Sequence, residues 1–81
     1  MNARIKQDDE IRIGANIRRI RTARRIGQTE LVRMLQLEGV SLTRESLVKI
    51  ERGVQHVSAV QLAAIRDALG TTYDELLKPE A

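Results

Sequence analysis

The 81-residue sequence predicts an all-α domain built from five short helices. Aliphatic residues recur at spacings of three and four, which places them on one face of a helix. A glycine follows each of the first four such segments, and glycine commonly ends helices. The chain has no Phe, no Trp and one Tyr, so its core must be aliphatic, and this composition favours helices packed on helices. The four glycines are Gly27, Gly39, Gly53 and Gly70.

Capping residues and glycines set the limits of the predicted helices. Thr43 is a good N-cap, and Ser58 and Thr72 each begin a capping box. The predicted helices are helix 1 at 9–25, helix 2 at 28–38, helix 3 at 43–52, helix 4 at 58–69 and helix 5 at 72–78, before Pro79. The residues expected to face the core are Ile13, Ile17, Ile20, Leu31, Leu35, Leu47, Ile50, Leu62, Ile65 and Leu69.

The composition argues against several classes of protein. The chain has no cysteine, one histidine and no carboxylate pair beside a nucleophile, so we predict no catalytic residue, no metal site and no cofactor. No apolar run approaches the roughly 18 residues that cross a bilayer. The first ten residues are too polar for a signal peptide. We therefore expect a cytoplasmic protein that is not an enzyme and does not bind a membrane.

Basic residues are concentrated in the second half of helix 1, although the net charge is only +3. The cluster consists of Arg18, Arg19, Arg21, Arg24 and Arg25. Such a cluster suits a polyanion such as nucleic acid. Arginines at the end of a helix also complement the helix dipole, so charge alone favours a solvated helix face over a nucleic-acid contact.

Helix 3, with the sequence TRESLVKIERG, has two chemically different faces. Leu47 and Ile50 point inward, whereas Arg44, Glu45, Ser46, Lys49 and Arg52 are exposed or lie beside the exposed face. A short helix with long hydrogen-bonding side chains fits the major groove of DNA, which is roughly 12 Å wide. Arginine and lysine donate to guanine there, and glutamate accepts from cytosine. Taken alone, however, the segment fits better as an ordinary amphipathic helix with an i,i+4 pair between Glu45 and Lys49.

Four segments of the sequence, taken together in chain order, favour DNA readout over an ordinary amphipathic helix. They are IGANIRRIR at 13–21, RRIGQTELVRML at 24–35, TRESLVKIERG at 43–53 and ALGTTYDELL at 68–77. In these residues the chain resembles the Cro and phage-repressor family of helix-turn-helix proteins, also called the xenobiotic-response-element type. The resemblance implies a lambda-repressor-like DNA-binding domain at 9–78, with a flexible N-terminal arm at 1–8 and a tail at 79–81.

The resemblance also implies individual roles. The start of the third helix reads bases in this family, which assigns base readout to Arg44, Glu45, Ser46 and Lys49. Contacts to the DNA backbone are implied for Gln28, Thr43, Arg52, His56 and Ser58, although His56 fits an exposed loop histidine equally well. Arg21 and Glu51 match a salt bridge that joins helices 1 and 3 and orients the reading helix.

The chain departs from the family pattern between helices 2 and 3. Residues 36–40 make this connection longer than usual, so we expect a longer second helix and a less tight turn. Leu37, Val40 and Leu42 are expected to pack the extra segment against the domain.

One short helix reads only a few base pairs. Symmetric dimers on palindromic operators meet this need in the family, so the resemblance implies a homodimer whose half-sites are about one helical turn apart. The expected activity is transcriptional regulation, with repression favoured, by a protein located on the nucleoid. Helix 5, with Tyr73, Leu76 and Leu77, is a candidate dimer surface, although the same residues could close the core. The alternative function is an antitoxin-like or adaptor module whose partner is a protein, such as a toxin or an anti-repressor. An exposed apolar patch around residues 37–42 would favour it.

Overall fold

The computed structural model describes residues 4–5 and 12–79, and it contains the five helices that the sequence predicts. In chain order the elements are β1 (Arg4–Ile5), α1 (Ile13–Ala23), α2 (Gln28–Leu37), α3 (Arg44–Glu51), β2 (Val57–Ser58), α4 (Ala59–Leu69) and α5 (Tyr73–Leu76). None of the helices in these described ranges has the length and apolar character needed to span a bilayer.

Side chains cap the starts of the last three helices, as their sequences predict. The Thr43 hydroxyl accepts a hydrogen bond from the Ser46 N–H at 3.0 Å. At the start of α4 the bonds are reciprocal: Ser58 Oγ accepts from the Gln61 N–H at 3.1 Å, and the Ser58 N–H donates to Gln61 Oε1 at 3.0 Å. Thr72 caps α5 in the same way as Thr43 caps α3, so the capping box predicted at Thr72 was wrong in its second half: among the described residues the Glu75 side chain does not accept from the Thr72 N–H. These bonds satisfy backbone donors that have no partner inside the helix.

The limits of α1 differ from the prediction. Helix α1 begins at Ile13, and residues 9–11 lie outside the described residues. It ends at Ala23 because Arg25 adopts a left-handed conformation with φ of 58°. Gly27, which we expected to close this helix, has φ of −76° and serves as the N-cap of α2. The prediction was wrong here because a non-glycine residue takes the left-handed position.

The aliphatic core lies where the helices meet, and every core residue that the sequence predicts is buried. The structure adds Val32, Leu42, Val57 and Leu76 to that set. Because all five helices and the residues of the connections supply side chains to this core, each helix buries one face and leaves the other exposed.

A short strand pair lies beside the helices, and the sequence did not predict it. Strand β1 runs antiparallel to β2, with Arg4 opposite Ser58 and Ile5 opposite Val57. Two residues are too few to show the alternating pattern of a strand. The rest of the predicted arm at 1–8, and the predicted tail apart from Pro79, lie outside the described residues.

The lengthened connection between α2 and α3 packs only in part. Leu42 is buried and Val40 is half-buried against the core, but Leu37 is 81% exposed. The expectation that Leu37 packs against the domain was therefore wrong. Leu37 lies two residues after the buried Leu35 on the same helix, and a separation of about 200° turns it toward solvent.

Helix α5 closes one end of the core. Leu76 is fully buried, and the Asn16 side-chain amide donates to the carbonyl oxygens of Leu76 at 2.8 Å and Lys78 at 3.0 Å. Tyr73 is 39% exposed, with the guanidinium of Arg66 4.5 Å from its ring centroid. The sequence left open whether helix 5 forms a dimer surface or closes the core, and Leu76 closes the core.

Candidate nucleic-acid interface

Helix α3 presents the base-reading candidates on its outer face. Leu47 and Ile50 are both fully buried, which fixes the rotation of this eight-residue helix about its axis. Arg44, Glu45 and Lys49 are exposed on the opposite side. Ser46 is half-buried beside them, and Thr43 lies exposed at the N-cap.

The exposed charges of α3 are only weakly engaged within the molecule. Lys49 Nζ lies 3.4 Å from Glu45 Oε1, and both side chains are at least half exposed. An exposed i,i+4 pair of this kind contributes about 0.3–0.5 kcal/mol, so either side chain can leave it at little cost. The Arg44 side chain has no hydrogen bond or ion pair within the described part of the chain. The face is thus chemically available to a ligand.

A buried ion pair holds α3 against α1. Arg21 Nε donates to Glu51 Oε2 at 2.7 Å and Arg21 Nη2 donates to Glu51 Oε1 at 2.8 Å, and both residues are buried. Arg21 Nη1 also donates to the carbonyl oxygen of Ile26 at 2.9 Å, in the loop before α2. The hydrogen bonds to Glu51, together with its charge, raise the pKa of Arg21 against the opposing effect of burial. The structure therefore brings together the two residues that the sequence assigned to this salt bridge.

Gln28 extends this pair to a third helix. It is the first residue of α2, and its side-chain amide donates to Glu51 Oε1 at 3.1 Å. The family resemblance assigned Gln28 to the DNA backbone, but it did not indicate Glu51 as its partner. This bond ties the start of α2 to the end of α3, so the three helices meet at one carboxylate.

A shallow cavity of about 370 Å³ lies beside that carboxylate, and Arg18, Gln28, Val48, Glu51 and Arg52 line it. Sequence reasoning placed Arg18 only in the general arginine cluster of helix 1. Its signal was its position three residues before Arg21, which puts both on nearby faces of α1. Arg18 and Arg52 are exposed, and neither has an ion pair among residues 4–5 and 12–79.

The remaining backbone candidates follow α3. Arg52 is the C-cap of α3, and His56 lies exposed in the loop that precedes β2. Ser58 is half-buried and its hydroxyl oxygen caps α4. Gln61, its partner in the capping box, also donates to the carbonyl oxygen of Ser41 at 3.0 Å, which ties the start of α4 to the α2–α3 connection. These residues are spread along one stretch of chain, whereas Gln28 approaches from α2.

The described residues contain no group of three or more His, Cys, Asp or Glu side chains that could hold a metal ion. The geometry offers instead a projecting helix with exposed cations and hydrogen-bonding groups, held by an apolar core and a buried ion pair.

No protein-family model matches the chain, and no curated protein matches it. Among solved structures, the restriction-modification controller protein C.AhdI from Aeromonas hydrophila is similar, with a TM-score of 0.67 and 30% sequence identity. The match covers 83% of this chain and 94% of that protein. The arrangement of helices and this degree of identity together show that the chain belongs to the Cro/C1-type helix-turn-helix family, the family that its sequence resembles.

Proposed function

We propose that the chain binds double-stranded DNA sequence-specifically and regulates transcription, with α3 in the major groove. The observation that carries this proposal is the segregation of α3, where Arg44, Glu45 and Lys49 are exposed while Leu47 and Ile50 are fully buried. The description of the similar structure as a controller protein supports a regulatory role.

Base readout belongs to the first two turns of α3. Arg44 is the first residue of the helix and can donate two hydrogen bonds to guanine O6 and N7, and Lys49 can donate to the same atoms. Glu45 accepts from the amino group of cytosine. Ser46 has a shorter reach and is half-buried, so it contributes at one edge of the set.

Backbone contacts set the position of α3 in the groove. Arg52 and His56 are exposed near its end, and Thr43 lies at its start. Gln28 and Ser58 lie at the starts of α2 and α4, where the helix dipole favours a phosphate. These contacts carry no sequence information, but they fix the register in which the α3 side chains meet the bases.

Because α3 is short, we expect two copies of the chain to bind one operator. Eight residues make a helix about 12 Å long, which reaches only a few base pairs. Two copies related by a two-fold axis read a palindrome whose half-sites are about one helical turn apart. We propose a homodimer that represses transcription by occupying such an operator on the nucleoid, in the cytoplasm.

Selection of bound duplexes from a random pool, at low and at moderate salt, tests this function. We expect a palindromic motif, and affinity that falls as salt rises because phosphate contacts release counterions. A variant with Arg44→Ala and Lys49→Ala is the matched control, because both side chains are exposed and their loss leaves the fold intact. Enrichment of no motif by the unmodified chain would refute sequence-specific binding.

A second candidate function is an antitoxin-like or adaptor module that binds a protein such as a toxin or an anti-repressor. The 81% exposed Leu37 favours it, because exposed apolar side chains contribute to protein-binding patches. Leu42 is buried and Val40 is half-buried, so the apolar patch that would favour this function at residues 37–42 is only partly exposed. DNA binding that is weak, insensitive to salt and unselective would favour this module over the regulator.

A further inference from the structure

An apolar groove lies between α2 and α4, apart from the exposed face of α3. It has a volume of about 610 Å³, and none of the exposed α3 residues lines it. Its apolar walls are Met34 and Val40 on one side and Val60, Ala63, Ala64 and Ala68 on the other. The groove is therefore a site separate from the one proposed for DNA.

Helix α4 carries a second apolar stripe besides the one that the core buries. The core takes Leu62, Ile65 and Leu69. The groove takes residues 60, 63, 64 and 68, whose spacings of three and four place them along one side of the helix for about 12 Å. Val60 is 65% exposed and the three alanines are half-buried, so this second stripe is partly open to solvent. A helix that is apolar on two sides normally has both sides covered.

The shape of the groove suits an α-helix. Both walls are mainly helical, and the small alanine side chains of the α4 wall let another helix approach closely. Met34 on the α2 wall is half-buried, and its flexible thioether adapts to an irregular partner surface. Helices bind such grooves through apolar side chains at spacings of three and four. A small molecule would stay largely in water here, because Val60, Glu38 and Asp67 in the walls are themselves exposed.

Two carboxylates set the charge of the groove. Glu38 and Asp67 line it, one on each wall, and none of the described residues that line it is basic. Within the described residues Glu38 has no ion pair, and Asp67 pairs with its chain neighbour Arg66 at 2.9 Å. Acidic walls repel the phosphates of DNA. They favour a partner that carries Lys or Arg beside its apolar side chains.

A second copy of the chain does not offer such a partner helix. Its arginine-rich helix is α1, but Ile13, Ile17 and Ile20 of that helix are buried in the core and cannot enter a groove. A two-fold contact of the groove with itself would bring Glu38 and Asp67 of both copies together, and like charges across an interface are unfavourable. The groove therefore favours a different protein as its occupant.

We propose that the α2–α4 groove binds an amphipathic helix of another protein, whose apolar side chains fill the groove and whose Lys or Arg side chains pair with Glu38 and Asp67. The inference goes beyond the proposed function, because the groove is separate from α3. It holds equally for a regulator and for an adaptor.

Selection from a displayed library of helical peptides tests the proposal, with the unmodified chain as bait. Each peptide carries leucines at spacings of three and four, and its other positions are randomised among acidic, basic and neutral residues. We expect the enriched peptides to carry Lys or Arg beside the leucines. Enrichment of no peptide, or of peptides without an excess of Lys and Arg, would overturn the inference.

Variants then locate the site of the most enriched peptide, with Val60→Lys in the groove and Val54→Lys as its control. Val54 is 66% exposed and Val60 is 65% exposed, and Val54 does not line the groove, so the two match in chemistry and exposure. We expect Val60→Lys to weaken peptide binding by at least about 30-fold, as for a side chain at the centre of an interface, and Val54→Lys to leave it unchanged. Equal effects of the two variants would place the peptide outside the groove.

A charge exchange tests the ion pairs with a second variant. Glu38→Lys should weaken binding of the peptide about tenfold, and a peptide with Glu in place of its Lys and Arg should bind this variant more tightly than it binds the unmodified chain. Glu30→Lys is the control, because Glu30 is exposed on the same helix and does not line the groove. Equal effects of Glu38→Lys and Glu30→Lys would contradict the proposed pairing.

The outcomes separate this inference from the proposed function. If peptide binding depends on the groove while no duplex is enriched, the DNA-binding function is wrong and the inference stands. If a duplex motif is enriched and no peptide binds, the inference is wrong and the function stands. If sedimentation equilibrium shows that Val60→Lys disrupts self-association and Val54→Lys does not, a second copy occupies the groove and the inference is wrong.

Discussion

Gly14 of α1 lies against the carbonyl oxygen of Ile50 in α3, so closely that a Cβ at position 14 would stand 1.9 Å from that oxygen. The carbonyl carbon of Ile50 and the Cα of Glu51 would also lie within 3.0 Å of it. All three atoms belong to the backbone of α3 and cannot turn aside as a flexible side chain can. The close approach of α1 to α3 therefore depends on the missing side chain at position 14.

We expect Gly14→Ala to destabilise the domain, although alanine is the better helix former. The new methyl group forces α1 away from α3 and disturbs the buried pair of Arg21 with Glu51, and overpacking of this kind costs about 1–3 kcal/mol or more. Thermal unfolding followed by circular dichroism measures the loss. Gly27→Ala is the control, because a Cβ there meets nothing within 4 Å and φ is −76°. Equal melting temperatures for the two variants would contradict the close contact.

Removing the Glu51 carboxylate should cost more than removing an exposed acid of the same helix. Glu51→Ala leaves the buried guanidinium of Arg21 without its counter-charge, a loss of about 3–5 kcal/mol. Because 1 kcal/mol shifts the melting temperature of a small domain by about 4–8 °C, the change is easily measured. Glu45→Ala removes an exposed partner and should change the stability by less than about 0.5 kcal/mol.

The same pair predicts how this loss depends on pH. The pKa of Arg21 is raised in the folded chain, so its contribution is complete below the ordinary pKa of arginine and is lost only as pH rises through the raised value. Deprotonation of Arg21 therefore does not contribute to the difference in free energy of unfolding between Glu51→Ala and the unmodified chain at neutral or mildly alkaline pH.

A double variant, Arg21→Met with Glu51→Leu, should recover most of the stability that Glu51→Ala loses, because apolar residues of similar size often replace buried ion pairs. A double variant less stable than Glu51→Ala would argue against this account.

The helices and the core could be predicted from the sequence because their signals are local. Thr43, Ser58 and Thr72 indicate where helices begin, and the periodicity of the aliphatic residues indicates which helix faces are buried. The pairing of Arg21 with Glu51, 30 residues apart, came only from the family resemblance.

What could not be predicted depends on contacts between distant parts of the chain. No local pattern indicates that Gly14 meets Ile50, that Gln28 bonds to Glu51, or that residues 4–5 pair with β2. The left-handed turn at Arg25 was missed because glycine is the usual residue in that conformation, and Gly27 stood two positions later. The α2–α4 groove depends on how two helices pack, which periodicity alone does not give.

The lengthened connection should respond unequally to truncation at its two leucines. Leu42→Ala removes a buried side chain and should lower the free energy of unfolding by about 2–5 kcal/mol. Leu37→Ala removes an exposed side chain and should leave the free energy of unfolding of the monomer within about 0.5 kcal/mol of its original value. Chemical denaturation at low protein concentration measures both and keeps self-association out of the comparison. A large loss at Leu37 would mean that this side chain packs within the monomer.

Variants of two arginines in the proposed DNA interface should distinguish base readout from contact with the DNA backbone. Arg44→Ala removes a side chain at the start of α3 and should weaken binding to the selected operator by about 1–3 kcal/mol, while relaxing the preference at one base pair of each half-site. Arg52→Ala, at the C-cap of the same helix, should weaken binding to operator and scrambled duplexes alike and make affinity less dependent on salt. Titrations of both duplexes at several salt concentrations give all of these quantities. Both residues are exposed and neither forms an ion pair among the described residues, so we expect both variants to keep the fold of the unmodified chain. Equal losses on operator and scrambled DNA for Arg44→Ala would assign it to the backbone and move base reading to Glu45 and Lys49.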